Sequence, residues 1–180
     1  MGYKIGMDFG TTNSTVAYLD ESNELEAFRY PGPEGYEYVP SCVAYDEDGV
    51  HIGRDALMLA GESEVLFCDN FKMILPLPEK ERGKHGWPGI KSPEKVVADY
   101  FRSLLLAENG EASSFKAQRG DIEGIVLGVP HVWAKEMDHA GRSRLQSVLT
   151  EEMGLPLIQL ISEPVAAAND SPPSHAASMG

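Results

Sequence analysis

The residues best suited to chemistry stand near the amino terminus, in the run Gly6-Met7-Asp8-Phe9-Gly10-Thr11-Thr12-Asn13-Ser14. Gly10 has no Cβ, so the backbone can bend sharply there and press its N–H groups against an anion. Thr11 and Thr12 add hydroxyl donors for phosphate oxygens. Asp8, at the end of the preceding strand, could hold a hydrated divalent cation beside those oxygens. The pattern differs from the Walker loop, which needs G-x-x-x-x-G-K-[ST] leading into a helix. An ordinary hairpin turn also selects Asp, Gly and Thr, for backbone reasons, and local chemistry leaves both readings open. Other constellations are weaker. His51, His85, His131, His139 and His175 lack metal-ligand spacing, and Cys42 and Cys68 form no C-x-x-C, so a zinc site is not expected. Ser41, Ser143 and Ser162 have no G-x-S-x-G context. Glu24, Glu26 and Asp46-Glu47-Asp48 read as solvated turns.

Those residues must be positioned by the elements around them. Apolar residues 3–7 and the alternating residues 15–19 flank the glycine and threonines, which together reads as a β-hairpin, with residues 25–30 as a third strand. After the break Pro31-Gly32-Pro33-Glu34-Gly35, residues 39–45 read as strand, and Asp46-Glu47-Asp48-Gly49 turns the chain into residues 50–53. Residues 54–59 and 65–75 look helical, the second stopping at Pro76 and Pro78. Residues 77–91 have no periodicity and read as loop. Ser92 and Pro93 then open a helix whose Val96, Val97, Tyr100, Phe101, Leu104 and Leu105 form one stripe. Polar residues 109–121 separate it from a buried strand at 124–129. A helix over 134–152 ends at Gly154, a second buried strand covers 157–161, and Glu163-Pro164 starts a further helix. Strand–helix–strand crossovers imply parallel pairing late in the chain, so the sheet is mixed and the class is α/β. Ligands of such sheets gather at strand carboxyl ends, where Asp8, Gly128-Val129-Pro130 and Ser162-Glu163-Pro164 all fall.

Composition narrows the partners. With 180 residues, 42% of them hydrophobic, the chain can build one compact core. Two cysteines and no apolar run near 18 residues point to a reducing compartment without a transmembrane span. The chain opens on a strand with no signal-like segment, so the expected location is cytoplasmic. A net charge of −13 argues against nucleic acid or an acidic membrane as partner, because both are held by Lys and Arg.

At this point the residues resemble a known family. The hairpin run at 6–14, Val39-Pro40-Ser41-Cys42-Val43-Ala44-Tyr45, the Gly53 turn, Gly128-Val129-Pro130 and Ser162-Glu163-Pro164-Val165-Ala166-Ala167-Ala168 occur in the order seen in the seventy-kilodalton heat-shock (DnaK-like) chaperones. The resemblance implies the actin-like ATPase (ribonuclease H-like) fold: two lobes around a cleft, with this chain as the first. That lobe would occupy residues 1–170 around a mixed five-stranded sheet with flanking helices. A small abbreviated inserted subdomain would span 38–91, and residues 171–180 would be a disordered tail. Gly10, Thr11, Thr12 and Asn13 match the family's first phosphate-binding loop, and Asp8 its magnesium-associated aspartate, acting through water. Lys72 falls where the family has its catalytic lysine, which orients the γ-phosphate and the attacking water. By residue type alone Lys72 would be a solvated helix lysine. Pro130 and Glu163 match the interdomain relay, although Glu163 would equally serve as a carboxylate at a helix start.

Three departures temper the match. The span from Lys72 to Ser92 is short for the family, and the segment after Pro130 carries Lys135 and Asp138 with no match to the relay arginine. The second phosphate loop and the adenosine-binding segment would lie beyond residue 180. The expected protein is thus the N-terminal lobe of a chaperone-like ATPase. It would use ATP/ADP and Mg2+, with a second lobe, a peptide-binding domain and co-chaperones as partners, and the 180 residues alone would be inactive. A sugar-type kinase of the same fold and a non-enzymatic, degenerate interaction module are the rival expectations.

Overall fold

The computed structural model describes residues 2–31, 35–108, 111–130, 133 and 140–162. Strand β1 (Tyr3–Phe9) alternates strictly: Ile5, Met7 and Phe9 point into the core while Lys4, Gly6 and Asp8 face outward. Period-two alternation with one apolar face is what fixes this register, since a one-residue slip would exchange the two faces. β1 pairs antiparallel with β2 (Asn13–Leu19), with Phe9 opposite Ser14 and Ile5 opposite Tyr18, so residues 10–12 make the hairpin tip. β3 (Leu25–Ala27) extends the sheet beyond β2.

On the other side of β1 the pairing becomes parallel. β8 (Ile122–Val129) lies beside β1 and β9 (Leu157–Ser162) beside β8, giving the order β3-β2-β1-β8-β9. This is the mixed sheet expected from the element order. Its continuous path has five strands, and a sixth of two residues, β4 (Val39–Pro40), pairs with the start of β2. Ile125, Leu127 and Val129 on one face of β8 are fully buried, and on the other face Gly124 and Gly128 are buried and Val126 partly so, as a central strand covered on both faces requires.

The main helix, α4 (Pro93–Leu105), begins as anticipated: Ser92 accepts a hydrogen bond from the Lys95 amide at 3.2 Å, and Pro93 takes the first turn. Val96, Val97, Tyr100, Phe101, Leu104 and Leu105 are all buried. Phe9 joins this helix to the sheet, packing on Phe71, Tyr100 and Phe101 with ring centroids 5.9, 6.2 and 5.1 Å away. Between β8 and β9, α6 (Ala140–Ser147) runs on as a π-helical turn (Val148–Glu152), with Leu145, Val148 and Leu149 facing the core.

Several elements differ from the sequence expectation. The strand expected at 39–45 is two strands serving two sheets: β4 pairs with β2, whereas β5 (Val43–Asp46) joins a separate three-stranded sheet, β6-β5-β7, with β6 (Gly49–Ile52). The break falls at Ser41, whose amide is diverted to the Thr12 carbonyl. The helix expected at 65–75 is half strand. β7 (Leu66–Cys68) pairs with β5, Asn70 turns the chain at φ 53°, and only α2 (Phe71–Ile74) is helical. A short apolar run fits either period, and here the unpaired edge of β5 decided it. α1 (Gly53–Leu59) matches its expectation within a residue.

The expected loop at 77–91 holds α3 (Glu79–Arg82) and a single 3₁₀ turn (Gly83–His85). The polar stretch 109–121 contains α5 (Phe115–Gln118), capped by Ser114 and pinned by the buried Phe115. The third strand stops at Ala27. Of the expected helix at 134–152 only the part from Ala140 is described; Glu163, the helix it would start and the tail 171–180 lie outside the described residues.

Candidate functional site

The hairpin tip is built so that only glycine fits at position 10. A Cβ there would collide with the Asn13 carbonyl oxygen, a backbone atom that cannot swing aside. Thr12 and Asn13 are exposed, so their donors face outward. Asp8, one residue before the end of β1, stands in register with Gly128 of β8. Its Oδ1 would lie 3.8 Å from a Cβ at Gly128, so any longer side chain at that position would crowd the space in front of the carboxylate. The carboxyl ends of two central strands therefore meet beside the tip, where an open sheet gathers ligands.

Lys72 comes to the same place from a different direction. Its side chain is 2% exposed, and Nζ donates to the Phe9 carbonyl at the foot of the tip, 5.5 Å from the Phe9 ring centroid. The lone-lysine expectation of a solvated side chain is thus corrected. In α2, Phe71, Lys72 and Ile74 are buried while Met73 is exposed, so Lys72 lies on the side of this single turn that packs against the rest of the chain. Taking an ammonium out of water is costly even where it is hydrogen-bonded, so a buried lysine points to a role beyond packing.

A pocket of about 230 Å³ opens beside the tip, lined by Thr11, Thr12, Asn13, Ser41, Asp69 and Asn70 on its polar side and Pro40, Leu57 and Phe67 on its apolar side. Complete small-molecule sites run to roughly 300–1,000 Å³. The space suits part of a ligand. Cys42 also borders it; its thiol donates to the Gly53 carbonyl at 3.3 Å, and burial first, then the nearby Asp69, pushes the thiol up to about 11. Cys42 is therefore a neutral thiol here. No group of three or more His, Cys, Asp or Glu side chains among the described residues could by itself enclose a metal ion.

The structure thus gathers Asp8, Gly10, Thr11, Thr12, Asn13 and Lys72 within one corner of the molecule. Pro130 follows the end of β8, and its carbonyl accepts the Trp133 amide at 3.0 Å; the Trp133 ring lies against Gly141 of α6. Glu163, its expected relay partner, lies outside the described residues. Sequence reasoning set Ser41 aside because it lacked a nucleophile motif. Its role is with the backbone: Oγ donates to the Gly10 carbonyl at 2.8 Å and its amide to the Thr12 carbonyl at 2.8 Å. The signal available was the Val39-Pro40-Ser41 break itself, a proline followed by a polar residue inside an apolar strand.

A mixed sheet ordered this way, with helices packed against it and a glycine–threonine tip at the carboxyl end of its central strand, is the architecture of an actin-like ATPase lobe. No family model matches the chain. Curated relatives do. The chaperone protein HscA of Klebsiella pneumoniae (strain 342) is 29% identical over 91% of the chain, that of Serratia proteamaculans (strain 568) is 30% identical over 91%, and the HscA homolog of Shewanella putrefaciens (strain CN-32 / ATCC BAA-453) is 25% identical over 91%. The chain spans 27% of the length of each. The relatives support its reading as a first lobe of the seventy-kilodalton heat-shock chaperone family.

Proposed function

We propose that the chain is the N-terminal lobe of a chaperone-like ATPase that grips the phosphates of Mg-ATP at the hairpin tip. The observation that carries this is Lys72, a buried ammonium held by the carbonyl that immediately precedes the tip. Gly10, Thr11, Thr12 and Asn13 would receive phosphate oxygens through N–H and hydroxyl donors, in the manner of an anion-binding nest. Lys72 would face the transferring phosphoryl group, offsetting charge that develops there. Asp8 fits a magnesium ion held through water, because Mg2+ keeps most of its waters and needs only one or two carboxylates besides phosphate. The ion would neutralise phosphate charge.

The relay role of Pro130 and Glu163, an opposing lobe, a peptide-binding domain, co-chaperones and a cytoplasmic location follow from the same reading. The proposed boundaries are a lobe at 1–170, an insertion at 38–91 and a disordered tail at 171–180. The separate sheet β6-β5-β7 supports the insertion. No helix among the described residues is long and apolar enough to cross a membrane.

Calorimetry with Mg-ATP tests the reading on the 180-residue chain and on a polypeptide that adds the opposing lobe. The expected outcome is weak binding without turnover by the chain alone and at least tenfold tighter binding, with hydrolysis, by the longer protein, because one jaw supplies only part of the contact area and preorganisation. Absence of binding by the longer protein would overturn the assignment, and tight binding with turnover by the chain alone would overturn the need for a second lobe.

A further inference from the structure

Beneath the hairpin tip lies a set of buried hydroxyls that the proposed reaction does not use. Ser14, Ser41 and Tyr100 are 0%, 3% and 0% exposed. Ser41 Oγ donates to the Gly10 carbonyl at 2.8 Å, Ser14 Oγ and Ser41 Oγ are 2.9 Å apart, and the Tyr100 hydroxyl donates to the Val39 carbonyl at 3.2 Å. Each hydroxyl has one proton. Since Ser41 gives its proton to Gly10, the Ser14–Ser41 bond must be donated by Ser14, which makes a directed chain ending on the tip. Burial raises the pKa of Tyr100, and the neighbouring Ser14 and Ser41 hydroxyls pull it down by a smaller amount. The phenol therefore touches the same cluster.

We propose that Ser14, Ser41 and Tyr100 act as positioning residues that lock the backbone of residues 10–13 in its phosphate-receiving conformation. Ala, Val and Phe would fill these sites without the cost of burying three polar groups, and in an otherwise aromatic core that would be the cheaper packing. What the hydroxyls add is direction. They tie the tip to β2, to the junction between β4 and β5, and to α4, four segments brought together only in the fold. Tyr18 and Tyr45 make the contrast, since their hydroxyls go to the acidic side chains Glu26 and Asp99. This inference rests on the phosphate reading of the tip and gives its second layer.

The test uses Ser41→Ala and Tyr100→Phe, with Ser147→Ala, at an exposed hydrogen bond to Glu151, as control. Amide hydrogen exchange followed by NMR at residues 11–13, together with Mg-ATP affinity in the polypeptide that carries both lobes, supplies the readouts. Exchange at the tip should accelerate about tenfold in both variants, while amides of β8 and the carboxyl half of α4 keep their wild-type rates, and affinity should fall about tenfold. The control should change neither. Tyr100→Phe keeps the ring and its packing, so it carries the test if Ser41→Ala fails to fold. Unchanged exchange at the tip, or equal acceleration everywhere, overturns the positioning role even if wild type binds Mg-ATP. A tip that responds in a protein whose wild type never binds Mg-ATP overturns instead the phosphate reading, and with it the purpose assigned to the network.

Discussion

At the scale of single residues, Lys72 carries the most information, because it separates function from stability. Lys72→Met removes a costly buried ammonium but leaves the Phe9 carbonyl without that donor, so the two effects should partly offset and unfolding free energy should change by less than about 3 kcal/mol in urea titrations. The same change in the two-lobed polypeptide should lower hydrolysis about 10²-fold or more, the scale of a lost transition-state electrostatic partner. A variant that hydrolyses normally would remove Lys72 from the chemistry. The cysteines behave oppositely. Burial first, then Asp69, pushes both Cys42 and Cys68 up to about 11. At pH 8 only about one thiol in a thousand would be thiolate, against about a quarter for an ordinary cysteine. Iodoacetamide should therefore label the folded chain at least 100-fold more slowly than the urea-unfolded chain. The rate should rise about tenfold per pH unit between pH 8 and 10; a flat profile would show that access rather than ionisation controls the reaction.

At the scale of elements, the segment bearing Lys72 is held from behind. The Arg144 guanidinium on α6 donates to the Leu75 and Leu77 carbonyls at 2.6 and 2.9 Å, and Arg82 is bidentate to Glu94 at the start of α4 while its Nε donates to Leu77. This cluster fastens α2 to two other helices, and it explains why an aperiodic stretch after Leu77 carries ordered turns. Hydrogen bonds to charged groups contribute roughly 1.5–3 kcal/mol each. Arg144→Ala should therefore destabilise the chain by about 2–4 kcal/mol in denaturant titration. Lys116→Ala, which loses an exposed pair to Asp121, should cost less than about 1 kcal/mol. Equal losses would mean that the part-buried arginine cluster does not hold α2.

At the scale of the molecule, the sheet explains why one corner can serve as one jaw. β1 is central, antiparallel on one side and parallel on the other, so its carboxyl end meets a hairpin tip and a second strand end together. The small sheet β6-β5-β7 borders the pocket from beyond and contributes the run that ends in Asp69 and Asn70. A half-open pocket of this kind should give weak binding by itself, and the calorimetric contrast between one lobe and two would measure what the opposing half adds.

The hairpin, α4, the buried strand β8 and the existence of β9 were legible in the sequence, because period-two alternation, a serine–proline cap and an apolar run each depend on neighbours a few residues away. So was the glycine at position 10, whose need arises three residues on, at Asn13. β9, expected to be buried, instead lies at the edge of the described sheet, with Gln159 exposed. Tertiary structure alone decided that residues 39–45 divide between two sheets and that residues 66–68 are strand. It also decided that Lys72 is buried against Phe9 and that Ser41 braces the tip. In each case the partner lies about 20 to 60 residues away in the chain, and a buried polar group or an unpaired strand edge reports its partner only once the chain has closed around it.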